Sequence, residues 1–112
     1  MYIVIRPQQD LDLTGANLLK QKLLNFVETP TTDQPSYWVI DLEQVNGIDH
    51  FGLFVLVELR RLARQKKCHL RLCNLKKQVR SIFEIAELDQ KLKIWDKQLN
   101  ETAIANYPLL LC

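Results

Sequence analysis

At 112 residues the chain is long enough for one domain with its own core and too short for two. Hydrophobic residues make up 47% and charged residues 25%, which excludes a disordered chain, and a formal charge of +2 supplies no global drive toward nucleic acid or anionic membranes. The charge is unevenly spread, because Arg60 to Arg80 carries nine Lys or Arg residues and no acid.

The opening Met1-Tyr2-Ile3-Val4-Ile5-Arg6 is too short an apolar run for a signal peptide and lacks a small-residue cleavage pattern. No apolar run approaches the ~20 residues of a membrane helix. A cytoplasmic location without a membrane partner is expected. The three cysteines, Cys68, Cys73 and Cys112, are an odd number without C-x-x-C spacing, so they read as packing or surface thiols. Cys68 and His69 would point to opposite faces of a strand, which argues against a metal shared with Cys73.

Taken in chain order, residues 2–6 read as a strand that Pro7 ends. After a polar connection, Leu18, Leu19, Leu23, Leu24 and Val27 recur as one face of a helix, with Asp12 or Thr14 as its N-cap. Thr29 to Ser36 is a loop. Tyr37-Trp38-Val39-Ile40 is a continuous β-prone run, expected as a central strand covered on both faces, with Asp41 at its carboxyl end.

Phe51 to Lys66 is the longest helical candidate, apolar nearly all round in its first half and charged in its second. Cys68 to Cys73 alternates as a strand, with His69 and Arg71 outward and Leu70 and Leu72 inward. Lys76 to Glu87 forms a short helix through Val79, Ile82, Phe83 and Ala86. Leu92 to Trp95 is a last short strand. A final helix capped by Asp96 or Asn100 runs through Ala105 and stops at Pro108. The apolar tail Leu109-Leu110-Leu111-Cys112 either docks on the domain or covers a partner surface. Strands alternating with helices of this length imply right-handed crossovers, hence an α/β fold with a mostly parallel sheet.

In such a sheet the carboxyl edge favours binding, and Asp12, Asp41 and Asp49 fall near it. The loop from Glu43 to Phe51, leading into the long helix, is the candidate site. Asp49 suits an N-cap, where it accepts a backbone N–H and meets the positive end of the helix dipole. Gly52 permits close backbone approach in the first turn. His50 has no nucleophile or orienting group in view, and no Ser–His–Asp order is present. None of the three glycines stands in a phosphate-loop context. An enzyme is not expected, nor a cofactor, nor a metal. The basic run has no interleaved aromatics and reads as a solvated rim instead of a nucleic-acid surface.

The run YWVIDLEQVNGIDHFGLFVLVELRRLARQKKCHLRLCNLKKQVRSIFEIAELDQKLKIW resembles the STAS domain of bacterial anti-sigma-factor antagonists. The likeness covers about residues 2–96 of a single domain spanning 1–112, with the last helix and tail at 97–112. Its most specific parts are the strand ending in Asp41-Leu42, the Ile48-Asp49-x-x-Gly52-Leu53 loop and the basic strand with the segment after it. The family's early Gly-x-Leu-Asp has Gln9 in place of glycine, while Leu11-Asp12 persists. The chain starts where the family's second strand lies, so four strands are expected, or five, with about four helices.

The resemblance implies a partner switch. Family members bind an anti-sigma factor with kinase activity through the loop that opens the buried helix. Phosphorylation of the serine or threonine after the aspartate then dissolves the complex, adding about −1.5 to −2 charges. Here Asp-Ser-Ser-Gly-Leu reads Asp49-His50-Phe51-Gly52-Leu53, so the hydroxyl is absent and control by a serine kinase at this position is chemically closed. The expected function is a non-catalytic interaction module that holds an anti-sigma factor or serine-kinase-like regulator through residues 49–53, with Asp12 and Asp41 as further partner surface. The alternatives are a scaffold that has lost partner switching and a domain binding a small ligand, nucleotide or lipid. Self-association as a homodimer stays open.

Overall fold

The computed structural model describes residues 2–28, 37–88, 92, 94–95 and 109–112. The elements are β1 (Tyr2–Arg6), α1 (Leu13–Glu28), β2 (Tyr37–Asp41), α2 (His50–Gln65), β3 (His69–Cys73), α3 (Lys77–Ile85), β4 (Ile94–Trp95) and β5 (Leu109–Leu111). The five strands form one sheet in the order β4-β3-β2-β1-β5, and every neighbouring pair is parallel. This is the α/β architecture expected from strand–helix alternation. The expected loop at 29–36 and the expected helix through Ala105 lie outside the described residues.

Steps from β1 to β2 to β3 to β4 all go the same way across the sheet, so right-handed crossovers put α1, α2 and α3 on one face. Alternation along the strands sends Ile3, Ile5, Trp38, Ile40, Leu70 and Leu72 into that helical layer, where they form one buried cluster with Leu19, Leu23, Leu56, Leu59, Val79 and Phe83. Val4, Val39 and Cys73 are buried as well, on the opposite face. β2 is therefore covered on both sides, as its unbroken apolar run requires.

The tail settles at the sheet edge. Leu109–Leu111 pair in parallel with Val4–Arg6 and supply a fifth strand, beyond the four counted from the body of the sequence. Gln8 N–H donates to the Cys112 carbonyl and Cys112 N–H to the Arg6 carbonyl, so both sides of the turn out of β1 hold the end of the tail.

Two helical faces differ from the periodicity. Leu18, read as part of the inward stripe of α1, is exposed, while Leu19, Leu23 and Val27 are buried. Phe54, in the half of α2 that is apolar nearly all round, is also exposed; the buried face is Gly52, Val55, Leu56, Leu59 and Ala63. A helix beside one neighbour and a sheet needs only a stripe, so the remaining apolar residues of its first two turns are left outside.

Candidate functional site: the loop that opens helix α2

The loops after β1 and β2 meet at the carboxyl edge of the sheet and are tied together backbone to backbone. Leu11 N–H donates to the Gly47 carbonyl at 3.1 Å, and the Leu11 carbonyl accepts from Asp49 N–H at 3.3 Å. These form an isolated parallel bridge between Leu11 and Ile48. Asp10 strengthens the tie, since its Oδ1 accepts from the N–H groups of Asn46 (2.9 Å) and Gly47 (3.1 Å). Lys76, at the start of α3, donates through Nζ to Asn46 Oδ1, so a third loop joins the same cluster.

Leu11, Leu42, Val45 and Ile48 anchor this cluster in the core, all of them buried. Gly52 then packs directly on it. A Cβ at position 52 would lie 2.3 Å from the Leu11 carbonyl oxygen and 2.6 Å from Ile48 Cγ1. Gly15 makes the matching approach in α1, where a Cβ would stand 2.0 Å from the Asp10 carbonyl oxygen. Both glycines serve close packing, and neither has a positive φ.

The first turn of α2 follows from these anchors. Asp49 caps it, with Oδ1 accepting from Phe51 N–H at 2.9 Å and Gly52 N–H at 3.2 Å. Asp12 does the same for α1 by accepting from Gly15 N–H at 2.9 Å. With Gly52 pressed inward and Leu53 half-buried, His50 and Phe51 turn outward. Their rings lie side by side, with centroids 4.1 Å apart and planes tilted by 36°. Phe51 is 40% exposed and Phe54 63%.

A third apolar side chain belongs to the same surface. Lys20 of α1 forms an ion pair with Glu58 of α2 at 3.1 Å, which marks where the two helices lie side by side. Leu13 and Phe51 each stand seven residues, two turns, before one of these partners, so helical periodicity brings them to the same side of the α1–α2 seam. Leu13 is exposed too. Leu13, Phe51 and Phe54 are thus exposed apolar side chains in the opening turns of the two helices that Asp12 and Asp49 cap.

Asp41 does not belong to that surface. Its side chain is fully buried, and every acceptor position is engaged. Arg6 Nε and Nη2 both reach Oδ2 at 3.0 Å, while the Glu43 N–H and Asn74 Nδ2 reach Oδ1 at 3.0 Å. The expectation of Asp41 as partner surface is thus corrected. Its position at the end of β2 carries it inward, where it joins β1 and the turn after β3. Asp12 is exposed but its carboxylate is committed to capping.

The structural residues that sequence reasoning missed are Asp10, Asn46, Asn74 and Arg6. Asn74 has φ 57°, a left-handed conformation that asparagine tolerates better than most residues. That is the one local signal in the set. The pairing of Arg6 with Asp41 spans 35 positions and leaves no trace in either segment alone.

Cys73 lies beside this network. Burial, reinforced by the Asp41 carboxylate, pushes its thiol up to about 12, so it carries no thiolate at neutral pH. Burial also raises the Cys112 and Cys68 thiols. Among the described residues no cluster of His, Cys, Asp or Glu could hold a metal ion, and no helix is long and apolar enough to cross a membrane.

Comparison with known proteins agrees with this arrangement. The fold is similar to that of the protein TM1081, solved by NMR, with a TM-score of 0.70 and 21% identity over 85% of this chain and 74% of that one. It is also similar to the STAS domain of a SulP transporter from Vibrio cholerae, with a TM-score of 0.68 and 12% identity over 94% of this chain and 79% of that one. The family model of the STAS domain matches residues 2–98. An all-parallel sheet with three helices on one face and a capped, glycine-packed loop before the second helix therefore has its family: the chain is a member of the STAS domains, which serve as protein-interaction or ligand-binding modules.

Proposed function

We propose that this domain is a non-catalytic docking module of the cytoplasm that holds an anti-sigma factor or serine-kinase-like protein on the turn opening α2, without a phosphorylation switch. The observation that carries the reading is the outward stacking of His50 and Phe51 on a turn whose backbone is fixed by Asp49, Gly52 and Leu11. Preorganised aromatic side chains lose little conformational entropy on binding and act as anchors in protein interfaces. Leu13 and Phe54 enlarge the apolar area around them.

The resemblance to anti-sigma-factor antagonists supplies the class of partner. The replacement of the hydroxyl residue by His50 supplies the mode, because a partner with serine-kinase activity meets no hydroxyl acceptor directly after Asp49. Binding of this kind persists in the presence of ATP. The test is affinity capture on the intact domain with ATP and Mg²⁺ present, alongside His50→Asp and Phe51→Ala. Recovery of a kinase-like regulator by the wild type and its loss in both variants is the expected result. Equal recovery by all three proteins would remove the turn as the interface.

A further inference from the structure

The basic run that looks continuous in sequence is divided by the fold. Lys76, Lys77 and Arg80 follow β3 and sit at the carboxyl edge of the sheet, whereas Arg60, Arg61, Arg64, Lys66, Lys67 and Arg71 lie toward the opposite end. Four of these six, with His69, surround a cleft of about 480 Å³ between the last turns of α2 and the start of β3. That volume falls within the range of small-ligand sites. The cleft is about 24 Å, the length of α2, from the turn proposed for docking.

We infer that this cleft, lined by Arg60, Arg64, Lys67, His69 and Arg71, binds a small polyanion bearing two or more phosphate groups. Among the described residues no carboxylate lines it. Among the described residues, no carboxylate lies within ion-pair distance of Arg60, Arg64 or Lys67. The cluster therefore concentrates positive charge without internal compensation, a potential that a multiply charged anion relieves. Cys68, the neutral wall of the cleft, adds no opposing charge because burial raises its thiol.

Complementing the negative end of the α2 dipole is an ordinary use for cations in a last helical turn, and it accounts for Arg64. It does not account for Arg60, which stands further back, or for Arg71, which belongs to β3. Arg71 is held in place: its Nη1 donates to the Leu70 carbonyl at 2.9 Å and its guanidinium lies 5.6 Å from the centre of the Tyr37 ring. His69 packs on the same tyrosine at 5.0 Å between ring centres. Arg71 and the His69 ring are thus oriented by the tyrosine, not merely present.

Lys67 joins the cleft from the C-terminal turn of α2. The Cys68 N–H bonds back to the Ala63 carbonyl at 2.8 Å, which closes α2 in a glycine-type C-terminal motif with Lys67 at the left-handed position, φ 59°. Glycine is the residue this position favours. Lys67 lines the cleft from this position, and Glu87 takes the same left-handed place at the end of α3. β4 pairs only with Leu72 and Cys73, so among the described residues the outer edge of β3 from His69 to Arg71 is left open beside it.

The experiment is a titration of the full chain with tripolyphosphate at physiological salt, followed by thermal shift and by amide chemical shifts. In parallel, flotation is measured with phosphatidylcholine vesicles containing a phosphatidylinositol bisphosphate. Saturable tripolyphosphate binding that weakens about ten-fold in Arg64→Gln and in Lys67→Gly, and is unchanged in Lys77→Gln, is the expected result for a soluble ligand. Flotation with the same variant pattern, without tripolyphosphate binding, assigns the phosphates to a lipid headgroup and equally supports the site. Lys67→Gly relieves the left-handed backbone, so its loss of binding cannot be ascribed to unfolding. Absence of binding in both assays, or binding that Arg64→Gln and Lys67→Gly leave unchanged, overturns the inference. Neither result bears on the docking turn at the other end of α2.

Discussion

Gly52 lies so close to Leu11 that a single added carbon would stand 2.3 Å from the Leu11 carbonyl oxygen. The contact joins the first turn of α2 to the loop after β1, and it determines which side chains of that turn can face inward. Because position 52 takes the inward place, positions 50 and 51 are directed to solvent. The docking surface is in this sense a consequence of backbone packing.

Gly52→Ala should therefore cost about 1–3 kcal/mol, the range for overpacking a close contact, since the obstructing atoms are backbone and buried side chain. The midpoint of urea denaturation measures it. An unchanged midpoint would mean that the two loops separate freely.

Asp49 contributes through its cap. Asp49→Ala should lower stability by about 0.5–2 kcal/mol, and Asp49→Ser should recover most of the loss because serine presents an equivalent acceptor. A serine variant no better than alanine would show that the carboxylate acts in some other way.

Asp41, fully buried, pairs with a partly exposed Arg6, and four hydrogen-bonding atoms are directed at its carboxylate. Asp41→Ala leaves Arg6 and Asn74 without their acceptor and should destabilise by about 3–5 kcal/mol. Phe51→Ala, at an exposed site, should stay within about 1 kcal/mol of wild type. Chemical denaturation of the two variants side by side distinguishes a structural acid from a surface aromatic.

Alkaline stability should depend on Cys73. Its thiol is near its ordinary value of 9.0 in the unfolded chain and is raised to about 12 in the folded one. Between these values the folded state retains a proton that the unfolded state has released, so stability falls as pH rises. The contribution is fully present below pH 9 and declines by up to about 1.4 kcal/mol per pH unit above it. Cys73→Ala should flatten the alkaline limb of a stability–pH profile relative to wild type, and identical limbs would contradict the assignment.

The architecture was largely legible in the sequence because its signals are local. The β-prone run at Tyr37–Ile40, the alternation from His69 to Leu72 and the capping Asp49 with Gly52 three positions on each report on their own neighbourhood. What escaped depends on residues far apart. Asp10 is a lone acid in a polar connection until Asn46 and Gly47 fold against it, and Asp41 reads as an edge acid until Arg6 arrives from β1. Phe54 has the hydrophobicity of a core residue, and only the placement of α1 beside α2 decides that it remains outside. The tail Leu109–Leu111 was visibly apolar, but its pairing with β1 is set by an edge that no stretch of the tail encodes.

The turn ahead of α2 is held to bind a kinase-like partner and to offer it no hydroxyl to phosphorylate. The most direct test is the dissociation constant of the captured complex, measured by calorimetry with and without ATP and Mg²⁺, for the wild type and for His50→Ser. The wild-type constant should be the same in both conditions, and the serine variant should bind without ATP and release its partner once ATP is added. Release of the wild type by ATP, or retention of the serine variant as though its hydroxyl were invisible, would contradict it.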